Sequence, residues 1–193
     1  MKKIVYIIPG YGESHLKQRA YNKIAKIFQD YNINPVQVEI NWGGKSPASF
    51  KDYNNDFLEV YKKPKDTDVY ILGFSFGAMI AYLTSLKTKP KILILCSLSP
   101  YFEEDMKNMN KSDLRWWRQN FIDSDYNFNN IASNLKCEVY LVVGDKEHKS
   151  CLYRAKVSRN KIRNSHLFIA KGAQHKVGQH EYLGAIRRVI SRL

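Results

Sequence analysis

Ser75 stands between two glycines in Gly73-Phe74-Ser75-Phe76-Gly77, and a serine hydroxyl set in such a turn can act as a nucleophile. At neutral pH a hydroxyl attacks poorly and needs a base beside it to take its proton. The base in turn needs an acid that orients its ring and stabilises its charged form. His175 and the acidic residues Asp145 and Glu147 are of the right types for these tasks. Attack on a carbonyl also needs N–H groups aimed at the oxygen on which charge develops. Pro9-Gly10-Tyr11-Gly12 is glycine-rich enough to bring backbone close to a ligand.

These residues need elements to hold them. Asp68-Val69-Tyr70-Ile71-Leu72 is apolar, β-branched and aromatic and reads as a strand; Ala78-Met79-Ile80-Ala81-Tyr82-Leu83 is rich in helix formers. The chain must therefore turn sharply from strand to helix at Ser75. Only residues without Cβ fit close beside such a turn, which accounts for both glycines. The turn lifts the hydroxyl above the sheet and sets it at the positive end of a helix. The plain alternative is a Gly/Ser turn with no chemistry.

Short apolar runs recur along the chain. Ile4–Ile8, Val36–Ile40, Val69–Leu72, Ile92–Cys96, Val139–Val143 and Leu167–Ala170 read as six strands. Several are apolar almost throughout, as expected where helices cover both faces of a sheet. Between them run helical stripes: Leu16, Ala20, Ile24, Ile27 and Phe28; Phe50, Tyr53, Phe57, Leu58 and Tyr61, entered through Ser46-Pro47; Tyr82, Leu83 and Leu86; and Tyr182, Leu183, Ile186, Val189, Ile190 and Leu193. Strand–helix alternation of this kind predicts an α/β fold in three layers with a mainly parallel sheet. Residues 1–193 read as one domain. The interval from Cys96 to Val139 is too long for a simple crossover and rich in aromatics, which predicts a small helical cap at about 101–135.

In open α/β sheets the site lies at the carboxyl ends of the strands. Val139–Val143 is followed by Gly144-Asp145-Lys146-Glu147-His148, and Leu167–Ala170 by Lys171-Gly172-Ala173-Gln174-His175. The order is Ser, acid, His. With that order and the Gly-x-Ser-x-Gly turn in place, nearly the whole chain resembles a small, compact serine hydrolase of the α/β-hydrolase superfamily. The resemblance implies an acid three residues beyond the glycine that ends its strand. Glu147 holds that position; Asp there is commoner, and Asp145 remains the rival. It implies that His175 is the base, ahead of His15, His148, His166 and His180. It also implies an oxyanion hole from the backbone N–H of Phe76, after the nucleophile, and of Tyr11, where Pro9-Gly10-Tyr11-Gly12 stands for the family's His-Gly-x-Gly loop with Pro9 replacing the histidine.

Composition bounds the rest. The chain of 193 residues is 44% hydrophobic and 25% charged, a globular balance without any run approaching a membrane span. Its basic, apolar start reads as a first strand rather than a secretion signal. Cys96, Cys137 and Cys151 are odd in number, widely spaced and outside any Cys-x-x-Cys, which fits reduced thiols and a cytoplasmic location. The net charge of +13 favours anionic partners in general, but no nucleic-acid motif accompanies it. Arg154, Lys156, Arg159, Lys161 and Arg163 spread round one helix as a solvated basic surface would. No His/Asp/Glu set has metal-ligand spacing, so neither metal nor cofactor is expected.

The expected function is cleavage of a carboxylic ester or related small acyl substrate through an acyl-enzyme at Ser75. Trp116, Trp117 and Phe121 suggest an apolar substrate part, as do Phe74 and Phe76 beside the nucleophile, while Arg115 and Arg118 stand either to meet an anionic group or to face water. The alternative is a non-catalytic small-molecule binding protein on the same fold.

Overall fold

The computed structural model describes residues 2–12, 15–43, 48–122 and 126–193. Strands and helices alternate from the start: β1 (Lys2–Ile8), α1 (His15–Asp30), β2 (Asn34–Gln37), α2 (Phe50–Val60), β3 (Thr67–Phe74), α3 (Phe76–Thr88) and β4 (Ile92–Cys96). Three short helices follow, α4 (Glu103–Met106), α5 (Lys111–Asn120) and α6 (Phe128–Ala132). The chain closes with β5 (Glu138–Gly144), α7 (Lys149–Lys161), β6 (Ser165–Ala170) and α8 (His180–Ile190).

The six strands form one sheet in the order β2-β1-β3-β4-β5-β6, and every pair is parallel. Alternate residues of each strand face opposite ways, so the sheet divides the core. Val5, Ile7, Tyr70, Leu72, Ile94 and Val142 pack under α1 and α8. Tyr6, Ile8, Ile71, Leu93, Leu95 and Leu141 pack under α2, α3 and the helices between β4 and β5. Both faces are covered, which is why the strands read as continuous apolar runs. The three-layer α/β expectation holds, and the sheet is wholly parallel.

Some boundaries differ. The second strand runs over Asn34–Gln37, not Val36–Ile40. Its pairing stops where β1 stops: Gln37 is opposite Ile7, and Val38 gives one last N–H to the Ile7 carbonyl at 2.9 Å. Val38 and Ile40 are buried all the same, which explains the apolar signal beyond the strand. Pro35 is tolerated because β2 is an edge strand. Helix α2 begins at Phe50 under a Ser49 cap, whose hydroxyl accepts from the Lys51 N–H at 3.2 Å. Ser46-Pro47 and the Leu16 side chain lie outside the described residues. Leu86, expected on the buried side of α3, is exposed.

The segment between β4 and β5 is anchored by an ion pair that the charge pattern hid. Arg154 on α7 is only 2% exposed, not part of a solvated surface. Its guanidinium pairs with Asp105 of α4 and lies over the rings of Phe128 and Phe102, 4.6 and 5.2 Å from their centroids. Among the described residues no helix is long and apolar enough to cross a membrane.

Candidate active site

Ser75 is the single residue between β3 and α3, with φ 56° and ψ −118°. A side-chain-bearing residue is strained there by roughly 1–3 kcal/mol. The surroundings hold it: the Ser75 N–H donates to Cys96 O at 2.8 Å, and Ser75 O accepts from Ala78 and Met79. A Cβ on Gly73 would sit 2.2 Å from Gly77 O, and one on Gly77 would sit 2.3 Å from Ile8 O. Both glycines are thus needed for backbone to pass backbone beside the turn.

The loops after β5 and β6 meet at the same end of the sheet. They touch because Gly144 lacks a side chain: a Cβ there would lie 2.2 Å from Ala173 O. This contact brings Glu147 to His175. His175 Nδ1 is 2.8 Å from Glu147 Oε2, and His175 Nε2 is 3.1 Å from Ser75 Oγ. An ionised carboxylate only accepts, so Nδ1 carries the proton and Nε2 is left to accept from the serine. Asp145 does not reach the histidine; its Oδ1 accepts from the Gly172 N–H at 2.7 Å and ties the two loops together. His148 caps α7, and His166 bonds Glu138 at 2.9 Å beside the Tyr140 ring.

Glu147 has a fully buried side chain. Burial opposes its ionisation, but hydrogen bonds from His175, Ser97 and the Gly144 N–H outweigh that and hold its carboxyl below the ordinary value. Ser97 donates to Glu147 Oε1 at 2.6 Å, and Gly144 N at 2.7 Å. The Tyr182 hydroxyl lies 2.5 Å from Ser97 Oγ and 3.0 Å from Val142 O. Because Ser97 gives its proton to the carboxylate, the one Tyr182 hydroxyl proton is shared between Ser97 Oγ and the Val142 carbonyl. Burial pushes the Tyr182 hydroxyl well above its ordinary range, so it keeps its proton.

The loop after β1 approaches Ser75 from the other side. Its Gly10 N–H is taken by the buried Tyr21 hydroxyl at 2.7 Å, which pins the loop to α1. The Tyr11 ring packs edge-on against Phe76, centroids 5.5 Å apart, so the two residues expected to supply N–H groups are neighbours. Phe76 opens α3, and its N–H has no acceptor among the described residues. A helix start is where such a donor is most favourable to negative charge.

An open cleft of about 1360 Å³ lies over Ser75 and His175. Tyr11, Phe74, Phe76, Tyr101 and Trp116 wall it beside the serine. Trp117 and Phe121 do not line it; they are buried in the core, and Arg115 and Arg118 face solvent without reaching it.

No protein-family model matches the sequence, and no curated protein matches it either. Solved structures do. Est1E from Butyrivibrio proteoclasticus is similar with a TM-score of 0.78 at 14% identity, over 99% of this chain and 88% of that one. The chain has the α/β-hydrolase fold. An alpha/beta hydrolase enzyme from a Mar Chica lagoon sediment metagenome is similar with a TM-score of 0.74 at 14% identity, over 100% of this chain and 90% of that one. An alpha-beta serine hydrolase homologue from Coxiella burnetii is similar at 0.67 and 19% identity, over 100% and 86%.

On this α/β-hydrolase fold three polar residues stand at the site that no sequence motif singles out. Ser97 reaches Glu147 because β4 ends beside β5, and its own φ of 49° turns its side chain there. Tyr182 comes from a helix read only as apolar. Ser99 Oγ lies 3.3 Å from Ser75 Oγ. Strand-end position was the one clue that marked Ser97 and Ser99.

Proposed function

We propose that the protein is a serine hydrolase that cleaves a carboxylic ester, thioester or similar acyl compound. The single observation that carries this reading is the unbroken chain of contacts from Ser75 through His175 to a buried Glu147, opening on a cleft. Ser75 Oγ attacks the substrate carbonyl as its proton passes to His175 Nε2. Glu147 holds the ring by Nδ1 and stabilises the imidazolium that forms. The N–H groups of Phe76 and Tyr11 receive the oxyanion of the tetrahedral intermediate. His175 then returns the proton to the leaving oxygen or sulfur, leaving an acyl-Ser75. His175 then takes a proton from water as that water attacks the acyl carbonyl, and returns it to the Ser75 oxygen as the acyl bond breaks and the acid is released.

The walls beside Ser75 favour a substrate whose apolar part lies against Tyr11, Phe76 and Trp116. Nothing in the mechanism requires a cofactor. The test is turnover of short-chain p-nitrophenyl esters: the protein hydrolyses them and Ser75→Ala does not. A folded protein with no activity over a panel of acyl chain lengths, or a Ser75→Ala variant with undiminished activity, rejects the reading.

A further inference from the structure

We propose that Glu147, Cys151 and His175 form a binding site for a borderline-soft divalent cation of the zinc class. On the hydrolase reading above, on which this consequence rests, occupancy of the site arrests catalysis.

The three side chains come from separate places: the end of the loop after β5, the first turn of α7 and the loop after β6. Their ligand atoms, one carboxylate oxygen, one thiol sulfur and one ring nitrogen, all lie within 4.8 Å of one another. Around a tetrahedral zinc with bonds of about 2.0–2.3 Å, such atoms stand roughly 3.3–3.7 Å apart. Small side-chain rotations cover that difference. Sulfur and imidazole nitrogen together select zinc-class ions over magnesium or calcium. Three protein ligands leave a fourth position for water.

The outer contacts suit a metal. Glu147 Oε1 is held by Ser97 and Gly144, which orients the carboxylate while Oε2 faces His175. Such oriented carboxylates are a regular feature around metal ligands. A cation has a way in, because the cleft reaches both Cys151 and His175, and the His175 side chain is 35% exposed.

The consequence follows from the imidazole's one lone pair. A metal on Nε2 takes the lone pair that accepts the Ser75 proton. A metal on Nδ1 moves the ring proton to Nε2, with the same result. As the metal–sulfur bond forms, the S–H bond breaks and its proton leaves to solvent; nothing is oxidised or reduced.

The experiment uses the chelator-stripped full chain with Co²⁺ as spectroscopic probe and Zn²⁺ by calorimetry. One cation binds per chain, and Co²⁺ produces thiolate-to-metal charge-transfer absorption. Cys151→Ala and Cys151→Ser remain folded by circular dichroism, lose that absorption and bind Zn²⁺ at least about tenfold more weakly. Zn²⁺ inhibits ester hydrolysis reversibly, and the Cys151 variants resist it. No binding, or binding and inhibition unchanged in both Cys151 variants, overturns the proposal. Loss of all esterase activity with the cobalt absorption intact would instead reject the hydrolase reading and leave the metal site standing.

Discussion

Ser97 gives its hydroxyl proton to Glu147 at 2.6 Å and, with Tyr182 2.5 Å behind it, makes a second line of support behind the acid that orients His175. Neither residue touches the cleft, so their effect on chemistry must pass through the carboxylate.

On the proposed hydrolase reading, Ser97 is a positioning residue. A hydrogen bond to a charged group contributes about 1.5–3 kcal/mol. Ser97→Ala is expected to lower kcat roughly tenfold or more, with KM little changed. Ser97→Gly removes the same bond but relieves the φ of 49°, so it should lose kcat equally while folding at least as stably as the alanine variant. Ester kinetics on both, with thermal melts, check this; unchanged kcat in both contradicts it.

The two acids after β5 should separate cleanly. Glu147→Gln leaves the shape but cannot fix the tautomer, and kcat should drop by about 10⁴. Asp145→Asn disturbs only an exposed loop contact to Gly172 and should stay within about threefold of the parent protein, near the ±0.5 kcal/mol of ordinary surface changes. Steady-state kinetics with one ester decide it; the reverse ranking refutes the assignment.

The lowered pKa of Glu147 has a sign in stability. A carboxyl depressed on folding stabilises the native state above the unfolded value, about 4.3 for glutamate, and that contribution is lost as pH falls through the folded value. The stability gap between the protein and Glu147→Gln should therefore be present at about pH 5 and shrink below about pH 4. Urea midpoints across that range measure it. A gap that is constant or widening in acid contradicts the account.

Strain at Ser75 gives a further expectation. Ser75→Gly removes a Cβ from a φ of 56° and should raise stability by about 1 kcal/mol over Ser75→Ala, although both are expected to be inactive. Chemical denaturation of the two variants tests it. Equal stabilities would mean that the turn stores no strain.

The parts of the site that sequence revealed are those with local signals. Ser75 sits in a turn whose glycines are forced by backbone contact, and Glu147 and His175 follow strand ends. Ser97 also follows a strand end, but its pairing with Glu147 and the place of Tyr182 beside it depend on which strand lies beside which and on how α8 packs. Arg154 misled because charges spaced round a helix look solvated; its burial depends on Asp105 and two aromatic rings brought from distant segments. Trp117 and Phe121 misled in the opposite sense: aromatic residues in the segment over the site were as readily core as wall. Val38 and Ile40 carried a strand signal past the end of their strand because burial continues where pairing does not.

The most direct test is intact-protein mass spectrometry after reaction with a fluorophosphonate. One adduct per chain is expected, mapped to Ser75, absent in Ser75→Ala and formed far more slowly in His175→Ala. A folded protein that takes no adduct, or one whose adduct persists in Ser75→Ala, would contradict it.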